Sequence, residues 1–362
     1  MRVGKDKTIA PTRAIGTCVG SALVFHNSLT RFVEIDCGLL ARKYAVTVHH
    51  EASPAQLNPA RIWRDVRKHD LVYCWFAGWH SFFPVLMAWF QNKPSVVVVG
   101  GYDTADVPEA GYGSQRGGLR KIVARMVMRL ATQLIANSDS ARLETMANCG
   151  VRSAKIVAVY HGVPGPRKPA PERRTRMALT VGNAWRENLL RKGLLPFVQA
   201  SNFLPDVRFV VVGAWKDNSI EELRKAAGAN VEFLGFVSDE RLLELYEQAS
   251  VYVQASLHEG FGMSLAEAMA AGCVPVASRC GALPEVVGNT GVYIPDTTPE
   301  LIAEGIRVAL GAPYSTRLEA QRRVQEMFSL EQRANGLFEV LGRLLSRPES
   351  SSLRIPVDSG SN

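Results

Sequence analysis

The sequence predicts an α/β fold of two Rossmann-like domains, with parallel sheets, flanking helices and a cleft between the domains. Short β-branched runs alternate with helix-patterned segments from about Val19 onward, as parallel strands joined by crossover helices do. A Pro-rich, charged run over residues 164–174 interrupts that alternation near the middle and suits a linker. At 362 residues and 47% hydrophobic content, the chain has enough material for two buried cores.

Taken in order, residues 1–165 form the first expected domain, although the first dozen read as unstructured. Residues 71–90 carry no formal charge and follow Arg61, Arg64, Arg67 and Lys68, so a membrane span is one reading. Gly78, His80 and Pro84 interrupt it, and it divides more naturally into a strand over 71–76 and a buried helix over 81–90. A second expected domain covers 175–330, and residues 315–327 and 330–346 read as helices. The Ser-rich tail over 348–362 reads as disordered. We find no solenoid repeat.

Residues 258–287 are the most informative stretch. The β-rich run Val251, Tyr252, Val253, Gln254 and Ala255 leads into Glu259, and Gly260 and Gly262 then permit a sharp turn and close approach to a ligand. A helix follows at once, and its first amides are a ready anion site. Glu259 precedes the turn at the carboxyl end of a strand, where open α/β sheets bind ligands. Glu267, seven residues further on, has two readings. It is a functional carboxylate, or the partner of Ser264 in a helix capping box.

Glu259-Gly-Phe-Gly262 with Glu267-Ala-Met-Ala-Ala-Gly272 and Pro275-Val276 resembles the two-glutamate signature of the retaining, nucleotide-sugar-dependent glycosyltransferases of group 1, family four, which have the two-domain GT-B fold. The resemblance extends to Val181-Gly182 with Arg191-Lys192-Gly193, to residues 209–213 and 231–237, and to Asn137-Ser138 and Tyr160-His-Gly-Val163. It implies an acceptor domain over 1–165, a donor domain over 175–330, and a helix over 331–347 that crosses back to the first domain. It further implies that Lys192 holds the donor diphosphate, Glu259 contacts the sugar, and Glu267 binds the ribose hydroxyls. The Cys280-Gly281-Ala282 turn would lie near the sugar.

Departures from the pattern are informative. Asn183 stands where many members have arginine, and Arg186 is the expected replacement from the longer loop. Gly100-Gly101-Tyr102-Asp103 replaces a segment that often carries histidine, and Asn27-Ser28-Leu29-Thr30 replaces a glycine-rich loop. The catalytic candidates are therefore Glu259, Lys192, Arg186, His80 and Asp103. The donor-binding candidates are Gly182, Lys192, Gly260, Phe261, Gly262, Ser264, Leu265, Glu267 and Gly281. His80 also reads as a core histidine, and Asp103 as the holder of a turn.

Other classes fit less well. Gly260-Phe-Gly262 mimics a dinucleotide fingerprint, but Leu265 occupies the third glycine position. A glycosidase needs carboxylates on opposite sides of the scissile bond, whereas these flank one helix start. With no Asp-x-Asp and no clustered cysteines, no metal and no cofactor beyond the donor substrate are implied. A catalytically degenerate protein that binds a nucleotide sugar or a partner without transfer is the alternative.

Charge is uneven. Residues 1–170 carry 22 Lys+Arg against 11 Asp+Glu, leaving 20 against 23 in the remainder. The basic first half is a solvated surface, or a peripheral contact with an anionic membrane or a lipid-linked acceptor. Helix-turn-helix, zinc-finger and RNP patterns are lacking, so nucleic acid is not an expected partner. Six scattered cysteines and the lack of a leader pattern point to a cytoplasmic setting.

Overall fold

The structure, a computed structural model, describes residues 7–9, 18–28, 30–51, 53–166, 170, 172 and 174–346. The first sheet contains β1 (Lys7–Ile9), β2 (Gly20–His26), β3 (Tyr44–His50), β4 (Leu71–Trp75), β5 (Ser95–Val99), β6 (Gln133–Ala136) and β7 (Ile156–Ala158). Their order is β1-β3-β2-β4-β5-β6-β7. The second contains β8 (Thr175–Val181), β9 (Arg208–Val212), β10 (Val231–Gly235), β11 (Ala249–Gln254), β12 (Val274–Ser278) and β13 (Val292–Ile294), in the order β10-β9-β8-β11-β12-β13. Every pairing in the second sheet is parallel. In the first, β1 alone among the described strands pairs antiparallel.

Strands covered on both faces read as continuous apolar runs, and β5 shows why. Val96 and Val98 face one core with Leu337 and Leu341, while Val97 and Val99 face the other with Ile62, Val85 and Val127. All four valines are fully buried, each contributing about 1.5 kcal/mol or more.

The first dozen residues are expected to be irregular, yet Lys7–Ile9 pairs with β3 and covers that sheet edge, which otherwise presents unpaired backbone groups. The tail over 348–362 lies outside the described residues. Residues 71–90 are not a span: they divide into β4 and the helix Trp79–Phe90. The break falls at Phe76, whose φ of 65° cannot continue a strand. Among the described residues no helix is long and apolar enough to cross a membrane.

The chain order reverses between β8 and β11 in the second sheet, and between β2 and β4 in the first. Such switch points open crevices at the carboxyl ends of strands. Here the two carboxyl edges meet: Ser138 Oγ donates to the Gly260 carbonyl at 2.7 Å. A Cβ on Gly260 would lie 1.9 Å from the Gly100 carbonyl oxygen, so only glycine permits this approach.

The helix Tyr314–Met327 packs beside Met263–Ala270 on the second sheet. The chain then turns at Phe328, whose carbonyl accepts from the Val163 amide at 2.7 Å, and the helix Leu330–Leu345 lies on the first sheet. Arg333 on that helix is fully buried and forms a two-pronged ion pair with Asp36, Nε to Oδ1 at 3.0 Å and Nη2 to Oδ2 at 2.7 Å. The last helix therefore clamps the two sheets together.

Candidate active site

The site begins where β8 ends. Gly182 follows it, and the short helix Arg186–Arg191 is stopped by Lys192 and Gly193. Gly193 has φ +66°, and a Cβ there would lie 2.0 Å from the Ala255 carbonyl oxygen. This tight turn brings Lys192 against the exit of β11. Lys192 Nζ donates to Glu259 Oε1, which also accepts from Gln254 Nε2 at 2.9 Å and Ser256 Oγ at 3.1 Å. Among the described residues no hydrogen bond reaches Oε2.

Burial by itself would raise the Glu259 carboxyl, but the charges of Lys192 and Arg191 and its hydrogen bonds outweigh that and hold it below the usual value. It is a carboxylate at neutral pH. Arg191 is itself buried, bonded through Nε and Nη2 to Asn188 Oδ1 at 3.1 and 2.6 Å. Its guanidinium also lies 4.3 Å from the Tyr112 ring, which belongs to the first half of the chain.

Beyond Glu259 the chain turns through Gly260 and Phe261 to Gly262, which has φ +96° and caps the helix Met263–Ala270. The first helical bond there runs from the Ala266 amide to the Gly262 carbonyl, so the amides of Met263, Ser264 and Leu265 have no helical partner. They are the positive end of the helix. The turn is braced from behind, because the Ala282 amide donates to the Glu259 carbonyl at 3.0 Å and Gly281 packs against that same carbonyl.

Glu267 lies one turn into the helix. Its Oε2 accepts from Tyr246 Oη at 3.4 Å, and Arg31 Nε approaches Oε1 to 3.4 Å without hydrogen-bond alignment. Oε1 is thus a buried acceptor with no aligned donor. Burial raises this carboxyl, and Arg31 opposes the rise. Arg31 opens the helix Arg31–Leu40 after β2, so a cation from the first sheet's layer closes over the second sheet's site.

A further contact fixes the two edges. Glu285 accepts from the Asp139 and Ser140 amides at 2.9 and 2.6 Å and from Tyr160 Oη at 2.8 Å. The carboxylate lies at the start of the helix Asp139–Cys149, where negative charge is stabilised.

Residues 175–311 match the model described as glycosyl transferases group 1, and residues 36–164 match glycosyltransferase family 4. The chain belongs to the group 1 glycosyltransferases. A GDP-mannose-dependent phosphatidylinositol dimannoside mannosyltransferase of Mycobacterium tuberculosis is 32% identical over 38% of this chain and 36% of that protein. A phosphatidylinositol N-acetylglucosaminyltransferase component of Arabidopsis thaliana is 27% identical over 61% of this chain and 51% of its own. The aligned region thus spans about a third to a half of these relatives' length. Anabaena Alr3699/HepE, solved in complex with UDP and glucose, superposes with a TM-score of 0.73 over 89% of this chain and 99% of its own, at 19% identity. Sucrose-phosphate synthase from Thermosynechococcus elongatus gives 0.68 over 89% and 98%, at 18% identity. These likenesses show the shared two-domain GT-B fold.

Within this group 1 site, several residues named from sequence do not stand where expected. Arg186 pairs with Glu222 at 2.6 Å and its side chain is 75% exposed; Arg191 is the arginine whose charge reaches Glu259. The reason is helical phase, since five residues along a short helix reverse the direction of a side chain. His80 is a core histidine: Nε2 lies 2.6 Å from the Trp75 carbonyl, and burial lowers its pKa to about 4.

Asp103 holds a turn, accepting from the amides of Ala77, Gly100 and Gly101 at 3.0, 3.3 and 3.1 Å, and burial raises its pKa to about 6. Ser264 is not a helix cap, because the helix starts one residue before it and Gly262 takes that position. Glu267 is freed from the capping box accordingly. Phe261 and Leu265 are buried in the core, so only their backbone faces the turn. Arg31, Arg191, Gln254 and Ser256 complete the site and are not among the sequence candidates. Arg191 and Ser256 lie beside named residues, which is the one signal that points to them, whereas nothing local marks Arg31.

Proposed function

We propose that the protein transfers a sugar, with retention of anomeric configuration, from a nucleotide-diphosphate sugar to a glycan, lipid-linked or small-molecule acceptor. The observation that carries this reading is the Lys192–Glu259 pair at the second sheet's switch point, beside three unpartnered helix amides. Cleaving a sugar–diphosphate bond develops positive charge on the ring and negative charge on the leaving phosphate. Preorganised positive groups around that phosphate lower the barrier. Lys192, Arg191 and the amides of Met263, Ser264 and Leu265 take this role. Glu259 Oε2 receives a sugar hydroxyl, and Glu267 Oε1 a ribose hydroxyl.

The names of the relatives support a hexosyl group, while GDP-mannose in one and UDP in another leave the nucleotide to a donor screen. Release of sugar from one nucleotide sugar tests the reading, and inertness toward every donor overturns it. The alternative, binding without transfer, rests on Asn183. Its Oδ1 accepts from the Ala214 amide at 2.9 Å and so shapes a turn, while Arg191 supplies the second cation, which favours the enzyme.

Two expected outcomes follow from this chemistry. Lys192→Ala should weaken calorimetric binding of the nucleoside diphosphate by about 1.5 to 3 kcal/mol, the cost of losing a charged hydrogen bond. Turnover should be unchanged by a chelator, since protein cations and amides meet the diphosphate charge without a metal. The reading includes a cytoplasmic setting at the inner membrane face, supported by six unpaired cysteines.

A further inference from the structure

Four helices cover one face of the first sheet, and three of them, Pro59–Lys68, Trp79–Phe90 and Gly118–Leu130, lie side by side beyond Asp139–Cys149. Together these three carry eight Lys+Arg and one acid, Asp65, so 8 − 1 = +7 of the chain's net +8 is concentrated there. The same layer also exposes large apolar side chains. Leu119, Ile122 and Met126 form a stripe on Gly118–Leu130 and are 73%, 57% and 43% exposed. Trp63, Trp89 and Phe90 are exposed on its two neighbours. Between the helices an open groove of about 310 Å³ is lined by Leu57, Trp79, Phe82, Phe83 and Val123.

Cations interleaved with an apolar stripe on the outer side of one helix are what an interfacial helix uses. The apolar groups enter the headgroup boundary while Lys and Arg meet anionic lipid. Some of these cations are already engaged: Arg61 pairs with Glu51, Arg64 with Asp65 at 3.4 Å, Arg120 with Tyr102 Oη at 2.8 Å and Arg125 with Gln115 Oε1 at 3.0 Å. Arg67, Lys68 and Arg129 are exposed, and Lys121 is half-buried. In a parallel sheet each helix starts at the carboxyl edge of the preceding strand, so Trp79, Leu119 and Ile122 lie toward the cleft side of the domain while Arg67, Lys68, Trp89, Phe90 and Arg129 lie at the far end, and the face runs the length of the layer.

We propose that this three-helix face docks on an anionic lipid bilayer and presents the cleft to acceptors held in that surface. The proposal rests on the glycosyl-transfer reading only for the acceptor, and the docking itself stands on exposure and charge.

The test is sedimentation with vesicles of phosphatidylcholine alone or with about a third phosphatidylglycerol, at low and high salt. Wild type should pellet with anionic vesicles at low salt, partition much less onto neutral ones, and be released as salt rises. Each cation near such a surface is worth about fivefold in partitioning, so Arg67→Glu, Lys68→Glu and Lys121→Glu combined should reduce it at least tenfold. Leu119→Ser, Ile122→Ser and Met126→Ser combined should do the same while circular dichroism is unchanged, since these side chains are exposed. Wild type remaining in the supernatant with anionic vesicles overturns the proposal, as does an apolar variant that pellets like wild type. A dimer in sedimentation velocity that the apolar variant abolishes also overturns it, assigning the face to a second copy of the chain. Calorimetric binding of UDP and GDP to the same variants should match wild type. Failure of wild type to bind either counts against the donor site alone, and the vesicle results still decide the docking.

Discussion

Replacing Glu259 with glutamine is expected to cut donor turnover by about 10²-fold or more, on the scale of removing one preorganised charge-stabilising group. The side chains are nearly the same shape, and a Gln carbonyl oxygen can still accept from Gln254 and Ser256. What changes is charge. Lys192 loses the carboxylate that pairs with it before a donor binds, so nucleoside diphosphate binding should hold or tighten while kcat falls. That split between affinity and rate separates a catalytic role from a structural one, because a misfolded loop would lose both. Single-turnover assays with each responsive donor, alongside calorimetry, measure it. Equal turnover in variant and wild type would remove Glu259 from the chemistry.

Arg333→Met is expected to carry the largest stability cost, about 3 to 5 kcal/mol, the range for breaking one side of a buried ion pair. Asp36 would keep only the Tyr73 hydroxyl, now 2.6 Å from Oδ2, and its charge would be uncompensated in the core. The Val159 carbonyl, which accepts from Arg333 Nη1 at 2.5 Å, would lose that donor. Adding Asp36→Asn removes the stranded charge and should recover part of the loss. Urea unfolding of the two single variants and the double measures the coupling. A loss under about 1 kcal/mol for Arg333→Met would show that apolar packing of Leu337 and Leu341 suffices to hold the helix.

The two predictions probe different links. In the proposed transfer Glu259 meets the donor, whereas Arg333 lies in the clamp that keeps the two sheets' carboxyl edges facing one another. Since Arg31, Ser138 and Glu285 each reach across that junction, loosening the clamp should also degrade the site.

Strand runs, most helix spans and the glycine turn were legible because each is written in neighbouring residues. Val96 to Val99 is readable as a doubly covered strand, and Gly260 to Gly262 as a turn before a helix, since backbone sterics act locally. Glu259 was legible for the same reason: its place between a strand and a glycine turn determines where it can point.

Side-chain partners between distant segments were not legible. Arg186 is the arginine expected from the loop after Asn183, yet the phase of one short helix, set by packing, sends Arg191 to Glu259 and Arg186 to Glu222. His80 and Asp103 look like site residues in one dimension, yet folding surrounds each with backbone groups it must satisfy. Arg31 carries no local mark, and it reaches Glu267 because two sheets far apart in sequence meet edge to edge. The sequence by itself thus determined the two sheets, their order of elements and the glycine turn before the helix Met263–Ala270, all products of short-range pattern. Tertiary structure decided which charges neighbour that turn, because electrostatic pairing depends on distances of a few ångströms that chain spacing does not encode.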